Sequence, residues 1–138
     1  MRSFTGLFHL YTYAMSEIIF GEDVHKIIGL FKEVWNTLGY GFREIVYKDA
    51  LEKELLREGI AYDSEDYFFV PYKGCFLPHK FRVDFTIEKH IIIEVKANDD
   101  LLEKGRVQLQ NYLGASELHI GLIVNFGKIN MEYEQVNM

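Results

Sequence analysis

The chain has a single cysteine, Cys75. One cysteine excludes an intrachain disulfide and suits a reducing compartment, so we expect a cytoplasmic protein. Cys75 has no neighbouring cysteine or histidine at zinc-ligand spacing, and we expect it to be a small core residue. The five histidines also lack the spacing of a metal site or a catalytic triad.

Long apolar runs and an excess of basic residues are also absent. No run approaches the roughly 18–20 apolar residues of a membrane-spanning helix. Residues 1–14 are rich in aromatic residues, but threonine and histidine interrupt them, so no signal peptide is predicted. The net charge is −6, from 15 basic and 21 acidic residues. Non-specific duplex binders carry basic surfaces, so this balance disfavours a long DNA footprint, although a small cation-dependent site remains compatible with it.

The length of 138 residues suits one domain with a substantial core. We expect residues 1–20 to be an N-terminal extension that is poorly ordered or packs loosely on the domain. Residues 21–138 are expected to form a single domain. Translation from Met1 or from Met15 is left open, because Met15 followed by Ser-Glu is a second candidate start.

The most informative stretch is residues 82–96, RVDFTIEKHIIIEVK. Two apolar, β-branched runs flank residues 88–90, a pattern typical of a hairpin. A three-residue loop places Asp84 opposite Glu94, with Lys96 on the same face as Glu94. A slip of one residue would put the two carboxylates on opposite faces.

Opposed carboxylates repel each other, and a divalent cation such as Mg²⁺ removes that repulsion. Lys96 beside such a site would hold a phosphate or help to orient and activate an attacking water. The alternative is a solvated face that carries these residues by chance, and an isolated D…ExK pattern favours it. The metal-site hypothesis predicts that Asp84→Asn melts no lower than the parent without metal.

Helices and strands are predicted on both sides of this hairpin. The predicted helices cover residues 22–38, 43–58 and 100–115, the last opened by a capping box at 100–103. Residues 60–72 are predicted to form one or two strands that end at Pro71, and further strands are predicted at 81–87, 91–95 and 118–125. Residues 126–138 are expected to add one edge strand or a short tail. We therefore expect an α/β fold: a mixed sheet of four or five strands with helices on both faces.

Three polar residues on the predicted helices are candidates for the same site. Glu44 falls on a buried stripe, where a carboxylate needs a partner; the alternative is a first-turn residue favoured by the helix dipole. Gln108 and Tyr112 lie four residues apart on one helix. A buried amide needs partners, which favours a functional role for Gln108, whereas core packing is the better interpretation of Tyr112. Gly105 in the same helix indicates close approach to another backbone.

These motifs together resemble the GxxExxY proteins, a branch of the PD-(D/E)XK nuclease superfamily. The namesake motif is complete as Gly41-Phe-Arg-Glu44-Ile-Val-Tyr47. The nuclease pattern is present as Phe81-Arg-Val-Asp84, Glu94-Val-Lys96 and Gln108-Leu-Gln-Asn-Tyr112, and the ending Leu122-Ile-Val-Asn125-Phe126 is also similar. The resemblance covers residues 24–126 and departs from the pattern at Val83, where the superfamily name has a proline.

The resemblance implies a restriction-endonuclease-like fold and Mg²⁺-dependent hydrolysis of nucleic-acid phosphodiesters, with Mn²⁺ as a substitute. The catalytic residues that it implies are Glu44, Asp84, Glu94, Lys96 and Gln108. The implied metal ligands are Asp84, Glu94, the backbone carbonyl of Val95, and Glu44 either directly or through water. Lys96 would act at the attacking water or the scissile phosphate, and Gln108 would orient Lys96 or a phosphate. Tyr112 and Tyr47 would have supporting roles.

The expected partner is nucleic acid, with DNA favoured over RNA. No membrane partner is expected, and the question of a homo-oligomer is left open. One alternative is a non-catalytic module that keeps the nuclease fold and binds nucleic acid or a protein. The acidic charge and the short chain favour this alternative, whereas the intact set of site residues argues against it. Another alternative is a subunit that is active only in an oligomer or with a partner.

Overall fold

The computed structural model describes the backbone of residues 4–98 and 102–138, and side chains within these ranges from residue 21 onward. The helices are α1 (Phe4–Leu38), α2 (Glu44–Arg57) and α3 (Leu102–Ser116). The strands are β1 (Tyr62–Tyr72), β2 (Cys75–Ile87), β3 (Ile91–Lys96), β4 (Ile120–Asn125) and β5 (Glu132–Asn137). In the described part of the chain, no helix is both long enough and apolar enough to cross a bilayer.

The five strands of the described residues form one mixed sheet in the order β1-β2-β3-β4-β5. Strand β3 runs parallel to β4, with α3 as the crossover between them, and the other neighbours are antiparallel. Helices α1 and α2 pack on one face of the sheet and α3 packs on the other. This confirms the predicted α/β class, the mixed sheet and the helices on both faces.

Two apolar clusters hold these layers together. The α1/α2 cluster includes Ile27, Phe31, Tyr47, Leu51, Phe85, Ile93, Val95, Leu122 and Phe126. The α3 cluster consists of Val83, Ile92, Leu109, Leu113, Ile123 and Val136. Burying one such side chain completely contributes about 1.5–3 kcal/mol. Because β3 and β4 contribute to both clusters, their apolar residues follow one another, as in Ile91-Ile92-Ile93 and Leu122-Ile123-Val124, rather than alternating with polar ones.

The helix boundaries differ from the predicted ones chiefly at the start of α1. This helix begins at Phe4 rather than at residue 22, and it ends at Leu38 as predicted. Gly39 follows with a φ of 69°, and its N–H donates to the Trp35 carbonyl, which closes the last turn. Residues 4–38 contain no proline, so no residue in this range breaks the helix between Phe4 and the predicted start at residue 22. The predicted capping box lies partly outside the described residues, which resume at Leu102.

Cys75 is exposed, contrary to the expectation of a core residue. It follows the tight turn Lys73-Gly74, in which both residues have positive φ, and its thiol donates to the Tyr72 carbonyl at 3.0 Å. Strand β2 is exposed from Cys75 to Lys80. The reason is that β3 pairs only with the last three residues of β2.

The hairpin of β1 and β2 therefore extends beyond the rest of the sheet. Strands β2 and β3 pair at Phe85–Ile93, Thr86–Ile92 and Ile87–Ile91, the register and three-residue loop that the sequence predicts. Before Phe85, the only ladder partner of β2 among the described strands is β1. We call residues 67–82, the part of this hairpin beyond β3, the arm.

Candidate active site

Asp84 and Glu94 meet where β2 separates from β3. The carboxylate of Asp84 accepts a hydrogen bond from the Val95 N–H through Oδ2, at 2.8 Å. The carboxylate of Glu94 accepts one from the Asp84 N–H through Oε1, at 3.2 Å. Each side chain thus takes the place that a carbonyl of the opposite strand would have in a continued ladder. Both are buried, with 8% and 5% of their surface exposed.

The direction of the side chains along β2 changes at this same point. Val83 belongs to the α3 cluster, yet Phe85, two residues further on, belongs to the α1/α2 cluster. Residues two apart in a regular strand face the same side, so the alternation must reverse once at Asp84. Opposite it on β1, Glu65 has a φ of 53°. The prediction from the sequence assumes a regular strand in which side chains alternate between the two faces, so it misses this reversal. It nevertheless brings Asp84 and Glu94 together.

The charge on Glu94 is unfavourable in this environment. Burial raises its pKa, the neighbouring charge of Asp84 raises it further, and Lys96 offsets only part of this, so that the pKa is about 8. A cation at this position would favour the ionised carboxylate. The pair is therefore a place where positive charge is stabilising.

Lys48 already supplies part of that positive charge, and it is absent from the predicted site residues. Its Nζ lies 2.7 Å from Oδ1 of Asp84 and 3.5 Å from Oε1 of Glu44. Burial lowers the Lys48 pKa, but the hydrogen bond and charge of Asp84, with the charge of Glu44, more than offset this, and the pKa is raised. The signal in the sequence is the i,i+4 spacing from Glu44, which puts both residues on one face of α2.

Glu44 reaches the site through this lysine. Its side chain is 42% exposed and pairs with Lys48. Within the residues that the structure describes, no three His, Cys, Asp or Glu side chains gather as a ligand set for a metal ion. Asp84 and Glu94 thus form a two-carboxylate site, with Glu44 on its rim.

Lys96, Gln108 and Tyr112 line a cavity of about 570 Å³ between β3, β4 and α3. Gln108 is exposed rather than part of a buried stripe, so its amide can be hydrated and needs no hydrogen-bond partner within the protein. The Tyr112 ring stacks on Phe81 with centroids 4.3 Å apart. Burial, and after it the charges of Glu94 and Asp84, raise the pKa of the Tyr112 hydroxyl.

Gly105 allows α3 to pack closely on β4 beside Lys96. A methyl group at this position would collide with the side chain of Ile123, and the Lys96 side chain lies 3.9 Å from the same point. The predicted close approach is therefore real, but the neighbour is a side chain rather than a backbone. The cost of glycine inside a helix is offset here by the packing that it permits.

The family model of the PD-(D/E)XK nuclease superfamily matches residues 21–137. The chain belongs to this superfamily. Among solved structures it is similar to one titled "Crystal structure of SSO0001", with 23% identity, a TM-score of 0.55 and 67% of this chain covered. The match covers 48% of that chain, so this protein spans about half its length, and the likeness concerns the fold alone. No curated protein sequence matches the chain.

The chain that follows Lys96 is held in place from the end of β4. The Asn125 side chain donates to the Asn98 carbonyl at 2.9 Å and accepts from the N–H groups of Asn98 and Gly127 at 3.3 and 2.8 Å. A side chain at Gly127 would collide with the backbone of Ala97 and Asn98. These contacts fix the path of the chain directly after Lys96.

The motif from Gly41 to Tyr47 shapes the entry into α2 in this superfamily member. The Tyr47 hydroxyl donates to the Gly39 carbonyl at 2.6 Å and accepts from the Phe42 N–H at 3.2 Å. Gly41 has a φ of 114°, a conformation that side chains rarely allow. The Tyr47 ring stacks on Phe126 with centroids 4.6 Å apart. The tyrosine therefore closes the α1–α2 loop and fixes the start of the helix that carries the charged pair described above.

Proposed function

We propose that the chain is a Mg²⁺-dependent nuclease of the GxxExxY branch that hydrolyses phosphodiester bonds in nucleic acid. The observation that carries the proposal is the buried carboxylate pair of Asp84 and Glu94. This pair lies at the separation of two strands, beside Lys96 and the cavity lined by Gln108. A pair of adjacent buried acids costs stability and is common at catalytic sites.

The residues that would hold the cation are Asp84, Glu94 and the carbonyl of Val95. Oxygen ligands of this kind suit Mg²⁺, with Mn²⁺ as a substitute. The Val95 N–H points at Asp84, and the N–H and C=O of a strand residue are directed to the same neighbouring strand, so the carbonyl is on the correct side. When bound, Mg²⁺ would act as a Lewis acid that stabilises negative charge on the phosphate oxygens.

The remaining side chains would position the substrate and the water. Lys96 follows Glu94 on the same strand and would hold a phosphate oxygen or orient the attacking water through its ammonium group. Gln108, exposed in the cavity, would donate a hydrogen bond from its amide to the water that Lys96 orients, or to a phosphate oxygen. Glu44, a rim carboxylate, would act on water rather than as a direct ligand.

The test is cleavage of labelled DNA and RNA, single-stranded, double-stranded and branched, with millimolar Mg²⁺ or Mn²⁺ and with EDTA. We expect cleavage only with metal, and a loss of about a hundredfold or more in Lys96→Ala. The matched control is Lys26→Ala, because Lys26 pairs with Glu58 on the surface, away from the site. Cleavage that persists in Lys96→Ala would point to a contaminating nuclease.

A non-catalytic module is the second candidate, and the ion pair between Lys48 and Asp84 favours it. A lysine that already neutralises one carboxylate allows the fold to exist without metal. In this case no substrate in the panel is cleaved, and millimolar Mg²⁺ leaves the melting temperature unchanged. The two candidates therefore differ in both measurements.

A further inference from the structure

The arm has a charge opposite to that of the whole protein. Residues 67–82 contain no Asp or Glu, but they contain Lys73, Lys80 and Arg82, in a chain whose net charge is −6. Arg82 pairs with Glu65, which lies just outside the arm on β1, with Nη1 3.4 Å from Oε1. Lys73 and Lys80 carry the positive charge of the arm that this pair does not offset. An anionic ligand would be attracted here rather than to the rest of the surface.

One face of the arm combines these cations with exposed aromatic rings. Tyr67 pairs across the strands with Arg82, and Phe69 pairs with Lys80, so the four side chains share a face. The Phe76 ring lies against Phe69, with centroids 6.2 Å apart. Tyr67, Phe69 and Phe76 are 51%, 48% and 69% exposed, which is unusual for rings that no partner covers. Lys80 lies over Tyr67, with its Nζ 4.6 Å from the ring centroid.

The opposite face of the arm is anchored to the protein. Phe81 stacks on Tyr112 at 4.3 Å and on Phe68 at 5.6 Å, which ties the base of the arm to α3. A free two-stranded hairpin is only marginally stable in water, so this anchor is needed to present the other face. The arm is therefore built to expose its aromatic and basic face.

This face leads directly into the carboxylate site. Arg82, the last cation of the arm, lies on β2 two residues before Asp84. Lys48 in turn contacts Asp84. Positive groups thus continue from the exposed rings to the position proposed for the scissile phosphate.

We propose that the arm binds a single-stranded segment of nucleic acid, with bases stacked on Tyr67, Phe69 and Phe76 and phosphates near Lys80 and Arg82. This inference rests on the proposed function in one respect: if the chain is a nuclease, the substrate is a single strand that reaches the carboxylate site from the arm. Aromatic platforms beside basic residues bind single strands with little sequence preference, since every base has a face on which to stack.

Two other occupants fit the surface less well. A duplex keeps its bases stacked inside, so three exposed rings would find no partners on its phosphate backbone. A second copy of the arm would bring like charges together, because each copy carries the same cations. A single strand uses both the rings and the charges.

The test measures binding in EDTA, so that it does not depend on cleavage. Fluorescence anisotropy gives the Kd of the full chain for labelled 20-mers of dT and U and for a blunt duplex of the same length. The arm variant carries Tyr67→Ser, Phe69→Ser and Phe76→Ser. The matched control is Tyr133→Ser, because Tyr133 is also an exposed ring with a lysine over it, on β5 at the opposite edge of the sheet. Thermal melts establish that both variants are folded.

We expect the parent to bind single strands at least tenfold more tightly than the duplex. The arm variant should lose about tenfold or more of the affinity for single strands, whereas Tyr133→Ser should change that affinity less than twofold. A variant that keeps the rings, Lys80→Gln, should bind single strands more weakly and with a shallower salt dependence. Equal affinities of parent and arm variant, or tighter binding of the duplex, would overturn the inference. So would a parent dimer that the arm variant converts to a monomer without any loss of affinity.

The outcome also separates this inference from the proposed function. Arm-dependent binding without metal-dependent cleavage would support the arm and contradict the nuclease. Cleavage that depends on Lys96 but occurs equally well in the arm variant would do the opposite.

Discussion

Replacing Glu94 with glutamine should stabilise the metal-free protein, and the gain should grow with pH. The Glu94 pKa is about 8 in the folded protein, above its ordinary value of 4.5, so folding favours the protonated side chain. As the pH rises through this interval, the unfolded chain loses the proton first and the folded protein loses stability. Glutamine stays neutral, and its amide can still accept the N–H of Asp84 and donate to the Asp84 carboxylate.

The magnitude follows from the size of the interval. Since one pKa unit corresponds to about 1.4 kcal/mol, the variant should gain roughly 3 kcal/mol over the parent at pH 7. The gain should rise to about 5 kcal/mol above pH 8 and fall close to zero below pH 4.5. Because these acids are buried, salt should change these differences little.

Urea unfolding in EDTA at several pH values provides the assay. Trp35, the only tryptophan, stacks on Phe126 in the α1/α2 cluster and reports unfolding by its fluorescence. The comparison variant is Asp84→Asn, which removes the partner of Lys48 and should lower the free energy of unfolding. This reverses the expectation from sequence, where Lys48 was not part of the site. A difference between parent and Glu94→Gln that stays constant with pH would refute the reasoning.

Two further predictions concern Lys48 and Gly127. Lys48→Met leaves Asp84 without its counterion and should destabilise the metal-free protein by about 3 kcal/mol, with most of the loss recovered in millimolar Mg²⁺. Its control, Lys26→Met, breaks an exposed pair and should cost less than about 1 kcal/mol in thermal melts, with no metal response. Gly127→Ala should cost about 2 kcal/mol or more, because the new methyl group would strike the backbone after Lys96. Gly29→Ala in α1 meets no neighbour within 4 Å and should be neutral or stabilising; similar melting temperatures for the two alanine variants would contradict the predicted clash.

The sequence predicts those parts of the site that depend on local pattern. The loop of residues 88–90 and the register of Phe85 with Ile93 follow from two apolar runs of matched length, and the structure has both. The proximity of Asp84 to Glu94 follows from that register. The helices follow from apolar spacing, because packing against the sheet requires a continuous stripe.

The features that the sequence does not predict depend on tertiary geometry. Cys75 is exposed because β3 is shorter than β2, and no local pattern gives the relative lengths of paired strands. Lys48 contacts Asp84 because α2 crosses the sheet at that point, and the spacing of Glu44 and Lys48 alone is equally typical of a surface ion pair. Gln108 is exposed where it lines the cavity between α3 and the sheet, although its position beside the buried Leu109 suggests burial.

The stack of Tyr47 on Phe126 has a mechanical consequence. The Phe126 N–H donates to the Lys96 carbonyl at 2.9 Å, so two contacts connect the loop before α2 with the lysine proposed to act on the phosphate. Motifs that are far apart in the sequence are therefore joined by direct contacts. A tyrosine that touches neither substrate nor metal would set the position of the lysine, and inserted residues would be tolerated at the tip of the arm far more readily than between these motifs.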